Sequence, residues 1–394
     1  MRVIVATLLC VLLSAVAQSA SAEDQPSLPP VEQGMAPSAG AALRACDGFG
    51  GVSAGGDDII RPQRSMDTLG RVEPSFEHSV QYCDRALLVL DAYPQYWLRR
   101  VSVLQSRALH RIIANDTTGA LADLDAADAL VHQPVDADYS RSLGVNGQLI
   151  RALALQLQGR DAQAAALSAS AISQRPYNRP VLIAALIILG PDAPREQMLP
   201  LLVQLARLDP RWASMYDRYL VGARLPPRDL HAFFMLMLEA EAPNRVSHGW
   251  EAPSTSQVVE CYQVQSPRAG ARSFDVCAAS ENDTPAMTEE RALLDAAQKT
   301  IALHAASFVI ERRRDTATSW TDPYSRQQTQ GGYVSIVSVR VLDDSAECGH
   351  CLNANDIVQT LAPRYAQQLA DQEAARLRRS RPHHPGDNIP PPRH

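Results

Sequence analysis

Two cysteines separated by two residues are the strongest candidate for chemistry in this chain, in the motif Cys348-Gly349-His350-Cys351. Thiols at this spacing can form a disulfide with each other and exchange it with another protein. A helix predicted to begin near Asn355 would favour the thiolate, because a helix N-terminus lowers the pKa of a nearby thiol. Three interpretations remain open: a passive local disulfide, which the sequence favours, a redox-active dithiol, or part of a metal site.

The motif is similar to the active-site dithiol of protein disulfide isomerases, and this resemblance implies thiol–disulfide exchange by Cys348 and Cys351. A thioredoxin-like fold, however, needs further strands after the following helix, and only about 40 residues remain. A zinc site needs four ligands, so two cysteines and one histidine do not predict a metal. No serine-hydrolase, zinc-protease or phosphate-loop motif occurs in a suitable context. The sequence therefore favours a protein that is not an enzyme, and it predicts no cofactor.

The remaining cysteines are predicted to be structural. Residues 257–264 and 273–279 alternate in hydrophobicity on either side of a turn, which predicts a β-hairpin. Folding the hairpin about Ala269 places Cys261 opposite Cys277 and leaves the other face apolar. Cys46 and Cys83 are then the last pair outside the first 22 residues, and a bridge between them would fasten the N-terminal segment to the first helix pair.

Most of these cysteines lie outside a long helical region predicted at residues 66–238, where apolar residues recur at intervals of three and four. Four stretches in it share a pattern of small or medium residues spaced by four and then three. Such positions let helix axes approach closely, and each helix pair buries its apolar side only by stacking on its neighbours. The four sets are Ser79, Cys83 and Ala86; Ala120, Leu124 and Ala127; Ala164, Ser168 and Ala171; and Leu199, Val203 and Ala206.

With Gly159 before the third set and Pro176 after it, this pattern resembles the tetratricopeptide repeat family. The resemblance implies a concave groove lined by the first helix of each pair. Carried onto this sequence, it assigns groove positions to the polar residues Ser102, Gln105, Asn146 and Gln156. Their side chains would hydrogen-bond an extended peptide, and the alternative is that they belong to solvated helix surface.

The C-terminal region is predicted to contain strands at 257–264 and 273–279, a helix at 286–312 and a strand at 333–342. This order resembles the C-terminal domain of the TonB energy-transducer family. The similarity lies in the two cysteine-containing strands, the turn at 281–285, the helix start at 292–297 and the strand at 331–342. It implies a ββαβ fold, and we take it as a likeness of fold and not of energy transduction.

The N-terminus predicts export. Arg2 precedes an apolar run at residues 3–17, and Ala20-Ser21-Ala22 forms a small-residue cleavage site. The run is shorter than the roughly 20 residues that span a bilayer. The predicted organisation is a signal peptide (1–22), an extended lead-in (23–65), an α-helical repeat domain (66–238), a linker (239–256), a small α/β domain with a C-terminal helix (257–380) and a disordered tail (381–394).

Together these features predict an α+β protein, an all-α helical-repeat domain followed by a small ββαβ domain. We expect an exported bacterial protein, periplasmic or secreted, that acts as a non-enzymatic protein–protein interaction scaffold for another protein or an extended peptide. The net charge of −6 argues against a nucleic-acid partner, and membrane contact is expected only if the signal stays uncleaved. The alternatives are a thiol–disulfide oxidoreductase and an accessory component of a TonB-like envelope system.

Overall fold

The computed structural model describes residues 42–43, 46, 76–131, 139–190, 193–213, 270, 272–280, 285–321, 328–342 and 349–366. Within these ranges the N-terminal part is helical and the C-terminal part contains a small antiparallel sheet. The protein therefore has the predicted α+β composition. The predicted signal peptide, the linker at 239–256 and the tail at 381–394 lie outside the described residues.

Helices of 11 to 17 residues follow one another through the N-terminal part. Neighbours in the chain pack together, and α2 also contacts α4, which in turn contacts α6. We call α2, α4 and α6 the inner row and α1, α3, α5 and α7 the outer row. The bounds are α1 Phe76–Asp91, α2 Trp97–Ile113, α3 Thr117–Ala129, α4 Gly144–Leu157, α5 Asp161–Gln174, α6 Arg179–Leu189 and α7 Arg195–Leu208, with a π-helical turn at Tyr139–Leu143 and a 3₁₀ turn at Pro210–Trp212.

The inner helices α2 and α4 end in the same way. Asn115 and Gly159 have φ angles of 62° and 74°. In each case the next amide reaches back to the last turn, from Asp116 to the Arg111 carbonyl (2.7 Å) and from Arg160 to the Leu155 carbonyl (2.9 Å). This is the Schellman arrangement, in which a left-handed residue stops a helix. The repeated cap reverses the chain toward α3 and α5, whose small positions at 120, 124, 127, 164, 168 and 171 are all buried.

The N-terminal end is closed by part of the segment predicted as an extended lead-in. Its described residues 42, 43 and 46 are helical, and Leu43 and Cys46 have no solvent exposure. Cys46 forms a disulfide with Cys83 of α1, and its carbonyl oxygen lies 2.9 Å from Nε2 of His110 on α2. These residues therefore form a packed layer on the first helices.

The C-terminal part consists of β1 (Ser273–Ser280), α8 (Pro285–Ala302), β2 (Ser307–Thr321), β3 (Gln328–Leu342), β4 (Leu352–Asn353) and α9 (residues 354–366). The strand order is β1-β3-β2-β4, and every neighbouring pair is antiparallel. The sheet has one more long strand after the helix than the predicted ββαβ order, since both β2 and β3 follow α8.

The predicted helix at 286–312 is wrong after residue 302. Helix α8 ends at Ala302 because His304 takes a φ of 61°, and the Ala305 amide bonds the Thr300 carbonyl at 3.2 Å in a further Schellman cap. Beyond it the side chains alternate, with Phe308 and Ile310 buried and Glu311 exposed. That alternation has the period of a strand and explains why β2 replaces the end of the helix.

Strand β1 confirms the second strand of the predicted hairpin. Its Phe274, Val276 and Ala278 are buried, and Cys277 pairs in register with Ile336 of β3. Cys277 and Cys351 are both disulfide-bonded. Their proposed partners Cys261 and Cys348, and the first strand at 257–264, lie outside the described residues.

One hydrophobic core connects the helical part with the sheet. It runs from the end of α2 through α4 to α7 and continues through β1, α8, β2, β3 and α9. A smaller cluster lies around Leu43, α1 and the start of α2. None of the described helices is long and apolar enough to span a membrane.

Candidate functional site: an outer groove and a buried ion network

The polar residues predicted to line a concave groove lie mostly inside the protein. Gln105, Asn146 and Gln156 are only 2%, 6% and 6% exposed. The amide of Asn146 donates to Oε1 of Gln105 at 2.8 Å, and Gln105 in turn donates to the Leu143 carbonyl at 2.8 Å. These two hydrogen bonds link α4 to α2 and satisfy buried polar groups.

Ser102, the fourth predicted groove residue, is half-buried and accepts a hydrogen bond of 3.5 Å from Arg99 on the same helix. The close approach of the inner helices also depends on Gly147, where a Cβ atom would lie 2.9 Å from Nε2 of Gln105. The structure thus places Gln105 and Asn146 between α2 and α4, and a binding role for the four predicted residues stays a prediction.

An open groove lies on the other side of the helical part, between α3 and α5, and α4 forms its floor. Its volume is about 560 Å³. We call it the outer groove. It is lined by Leu121 and Asp125 of α3, Arg151 and Leu155 of α4, Gln163, Ala166 and Leu167 of α5, and Arg160 from the turn between α4 and α5.

Cross-helix contacts fix the two ends of this groove. At one end the Gln158 amide donates to the Thr117 hydroxyl at 3.1 Å, which ties the α4–α5 turn to the start of α3. Toward the other end Arg151 donates to Asp125 and Asp128 of α3 at 2.7 and 2.8 Å. The groove therefore runs along α3 from the turn containing Arg160 to the pair of aspartates.

A buried ion network joins the helical part to the sheet. Asn178 caps α6 by accepting from the Val181 amide at 3.1 Å, and the next side chain, Arg179, extends into the C-terminal part. Its guanidinium contacts Glu289 of α8 (2.5 and 2.9 Å), Asp315 of β2 (2.6 Å) and Asp209 after α7 (2.6 Å). Arg179 is 2% exposed, so one cation connects three separate elements without solvent.

Arg313 completes this network from β2. It donates to both oxygens of Asp315 at 2.9 and 3.1 Å and lies 3.0 Å from Glu289. Arg313 also donates to the Leu208 carbonyl at 3.3 Å, and the Ser335 hydroxyl of β3 donates to Asp315 at 2.7 Å. The carboxylates thus have partners from both halves of the protein.

A second ion cluster surrounds Glu290, which follows Glu289 on α8. Its carboxylate accepts from Arg175 at 2.7 Å, from Tyr365 at 2.5 Å and from Arg364 at 3.2 Å. Arg364 also donates to the Gln174 carbonyl at the end of α5. Burial by itself raises the pKa of Glu290, but the charges of Arg175 and Arg364 and the hydrogen bonds outweigh it and lower the pKa. Helix α9 is thereby fastened to both α5 and α8.

The same balance holds for the carboxylates around Arg179. Burial by itself would raise the pKa of Asp209, but the hydrogen bond from Arg211 and the charge of Arg179 hold it well below its usual range. For Asp315, burial is outweighed by the charges of Arg313 and Arg179, and the pKa is lowered. These groups are therefore ionised at neutral pH, as ion-pair partners are.

At the Cys-Gly-His-Cys motif, Cys351 is partly exposed and disulfide-bonded. Helix α9 begins at residue 354, close to the predicted start, but the short strand β4 lies between Cys351 and the helix. The first free amides of α9, those of Asn355 and Asp356, bond the side chain of Asn353 at 2.9 and 3.1 Å. Two of the first amides of α9 are thus bonded by its own cap.

Sequence reasoning did not find the outer groove or the ion network. The partners of Arg179 lie 30, 110 and 136 residues away in the chain, so no local spacing joins them. Among the described residues there is no cluster of histidine, cysteine, aspartate and glutamate suited to a metal ion. The chain matches no family model, and neither curated proteins nor solved structures gave a match.

Proposed function

We propose that this protein is an exported interaction scaffold built on tetratricopeptide-like helix pairs, which binds another protein or an extended peptide and carries out no reaction. The observation that supports this most is the row of inner helices that contact one another in sequence. Arrays of this kind present extended surfaces on which partners bind. The outer groove is such a surface in this chain.

The repeated cap supports the tetratricopeptide-like interpretation. Asn115 and Gly159 occupy equivalent places at the ends of α2 and α4, and buried small residues follow each of them in the next helix. Two successive units are therefore built by the same local rules. We propose that they are members of one repeat series that continues with α6 and α7.

The C-terminal part has a supporting role in this proposal. Its sheet and helices share a core with α4 to α7, and the ion network around Arg179 joins them without water. A partner bound to the helices would therefore meet a single rigid body and not two domains that move independently.

Site-specific photo-crosslinking in the bacterium that produces the protein tests the scaffold. A crosslinking amino acid would replace Thr118 on α3, Gln163 on α5 or Arg195 on α7, all exposed, and Glu311 on β2 would serve as the control position. We expect a discrete adduct from at least one outer-row position and none from Glu311. If no outer-row position gives an adduct, the scaffold proposal fails. Intact-mass measurement of the same samples shows whether residues 1–22 have been removed, as the proposed export requires, or remain as the anchor that a TonB-like accessory would need.

Thiol–disulfide exchange remains the alternative, since Cys351 is partly exposed and oxidised. An insulin-reduction assay with the parent and with Cys348→Ser separates the two. We expect no activity in the parent, because the N-terminus of α9 is capped by Asn353. Activity that Cys348→Ser abolishes would establish the oxidoreductase instead.

A further inference from the structure

We infer that the outer groove binds an extended peptide in which an apolar side chain lies between a cationic and an anionic residue. The inference rests on the proposed scaffold function and adds the location and the chemistry of the partner. It also places binding on the side of the helices opposite the buried amides of Gln105 and Asn146.

The floor of the outer groove suits an apolar side chain. Leu155 is 5% exposed, whereas Leu121 and Leu167 are only partly covered and pack against the core from the rim. Its volume of about 560 Å³ falls in the range of roughly 300–1,000 Å³ that ligand sites occupy. A leucine-sized side chain inserted here would remove the remaining apolar surface from water.

The two ends of the groove carry opposite charge. On α3 the two exposed carboxylates of Asp125 and Asp128 share the single guanidinium of Arg151, which leaves an excess of negative charge. At the other end Arg160 is exposed. The neighbouring Asp161 belongs to the first turn of α5, where it complements the positive helix end. A peptide cation is therefore expected near Asp125 and a peptide carboxylate near Arg160.

The spacing of the two charges follows from α4, which spans the groove. From Arg151 to Gln158, next to the turn, the helix rises about 10 Å at 1.5 Å per residue. An extended peptide advances about 3.3 Å per residue, so its charged residues should be about three positions apart. An extended segment with an apolar residue between them fits both the floor and the ends.

A peptide array tests this inference. The mature chain is applied to immobilised peptides that carry Lys or Glu at two positions three residues apart, in all four combinations, with varied apolar residues between and around them. We expect preferential binding of the Lys/Glu and Glu/Lys sets. Arg160→Glu should shift the preference to the Lys/Lys set by about tenfold in affinity, since one reversed charge contact is worth about 1.4 kcal/mol.

Two variants serve as controls. Arg312→Glu makes the same charge change at an exposed position of β2, outside the groove, and should leave the preference unchanged, whereas Ala166→Arg, which fills the groove, should abolish binding. Equal binding of all four sets, or no response to Arg160→Glu, overturns the inference. A dimer in sedimentation that Ala166→Arg dissociates would instead assign the groove to a second copy of this chain. If crosslinks form from Thr118 or Arg195 while the array fails, the scaffold survives without this groove as its site.

Discussion

Replacing Arg179 with methionine should lower the stability of the protein, because Arg179 is the buried cation that joins the helices to the sheet. Arg179→Met keeps much of the side-chain volume and removes four hydrogen bonds to three carboxylates. Asp209 keeps its contact with Arg211, and Glu289 and Asp315 keep theirs with Arg313. Three carboxylates are then left with two cations, of which only Arg313 is buried.

The expected loss of stability follows from the buried carboxylates that Arg179→Met leaves without a cation. Removing one partner of a buried ion pair costs about 3–5 kcal/mol, because the other charge stays desolvated without compensation. Arg179 and its partners are at most 5% exposed in their side chains, so solvent cannot take over. We expect the free energy of unfolding to fall by about 3–5 kcal/mol at neutral pH.

Urea unfolding followed by tryptophan fluorescence is a direct assay, since Trp212 is buried beside Asp209. Arg340→Met is the matched control. It removes an exposed pair with Glu311 in the same sheet, at 2.6 Å and with both side chains nearly half exposed, and should cost less than about 1 kcal/mol.

The double variant Arg179→Met with Glu289→Met should recover part of the loss, because the two remaining carboxylates, Asp209 and Asp315, are then balanced by two cations. If Arg179→Met costs no more than Arg340→Met, the network does not hold the halves together and the reasoning is refuted.

Four further outcomes follow. Glu290 has a lowered pKa in the folded protein, so its stabilising contribution is present above about pH 4.3 and is lost as the pH falls toward the folded pKa. The urea midpoint should therefore decline between pH 7 and pH 3, and a flat profile would contradict this. Gln105→Leu leaves buried partners unsatisfied and should lower stability by about 1–3 kcal/mol in urea unfolding. Cys83→Ser should lower the free energy of unfolding by about 2–4 kcal/mol in the absence of reductant. This difference between parent and variant should largely disappear when reductant opens the Cys46–Cys83 disulfide of the parent as well. In Gly159→Ala the added Cβ meets no atom within 4 Å, but the residue keeps a φ of 74°. Thermal unfolding should therefore show a loss of stability of about 1 kcal/mol from backbone strain alone. Gly349→Ala is equally open and has no positive φ, so it should show no loss.

Local signals predicted the helices well because their information lies within a few residues. The apolar period, the cap at Gly159 and the small residues after it lie together in the chain, and the structure has α4 and α5 there. The same reasoning failed after Ala302. Phe308 follows Ala305 at the helical spacing of three, but the left-handed His304 ends the helix before both.

The sequence did not predict that the polar residues assigned to the concave groove are buried, and the reason is different. A glutamine such as Gln105 has the same local signal whether it faces solvent or another helix. Its exposure is decided by α4, which brings Asn146 and Gly147 against it from about 40 residues away. Polarity in a helix pattern therefore did not show which of these side chains are exposed.

The helices of the N-terminal part, and their position ahead of the sheet, follow from the amino-acid sequence because periodicity, caps and turns act over short distances. Which charges meet, and the core that the sheet and the helices share, depend on contacts between residues far apart in the chain. Arg179 shows the physical reason. An arginine at the start of a helix is common in type and position. Arg179 joins the helices to the sheet because folding buries it together with three carboxylates that lie far away in the chain.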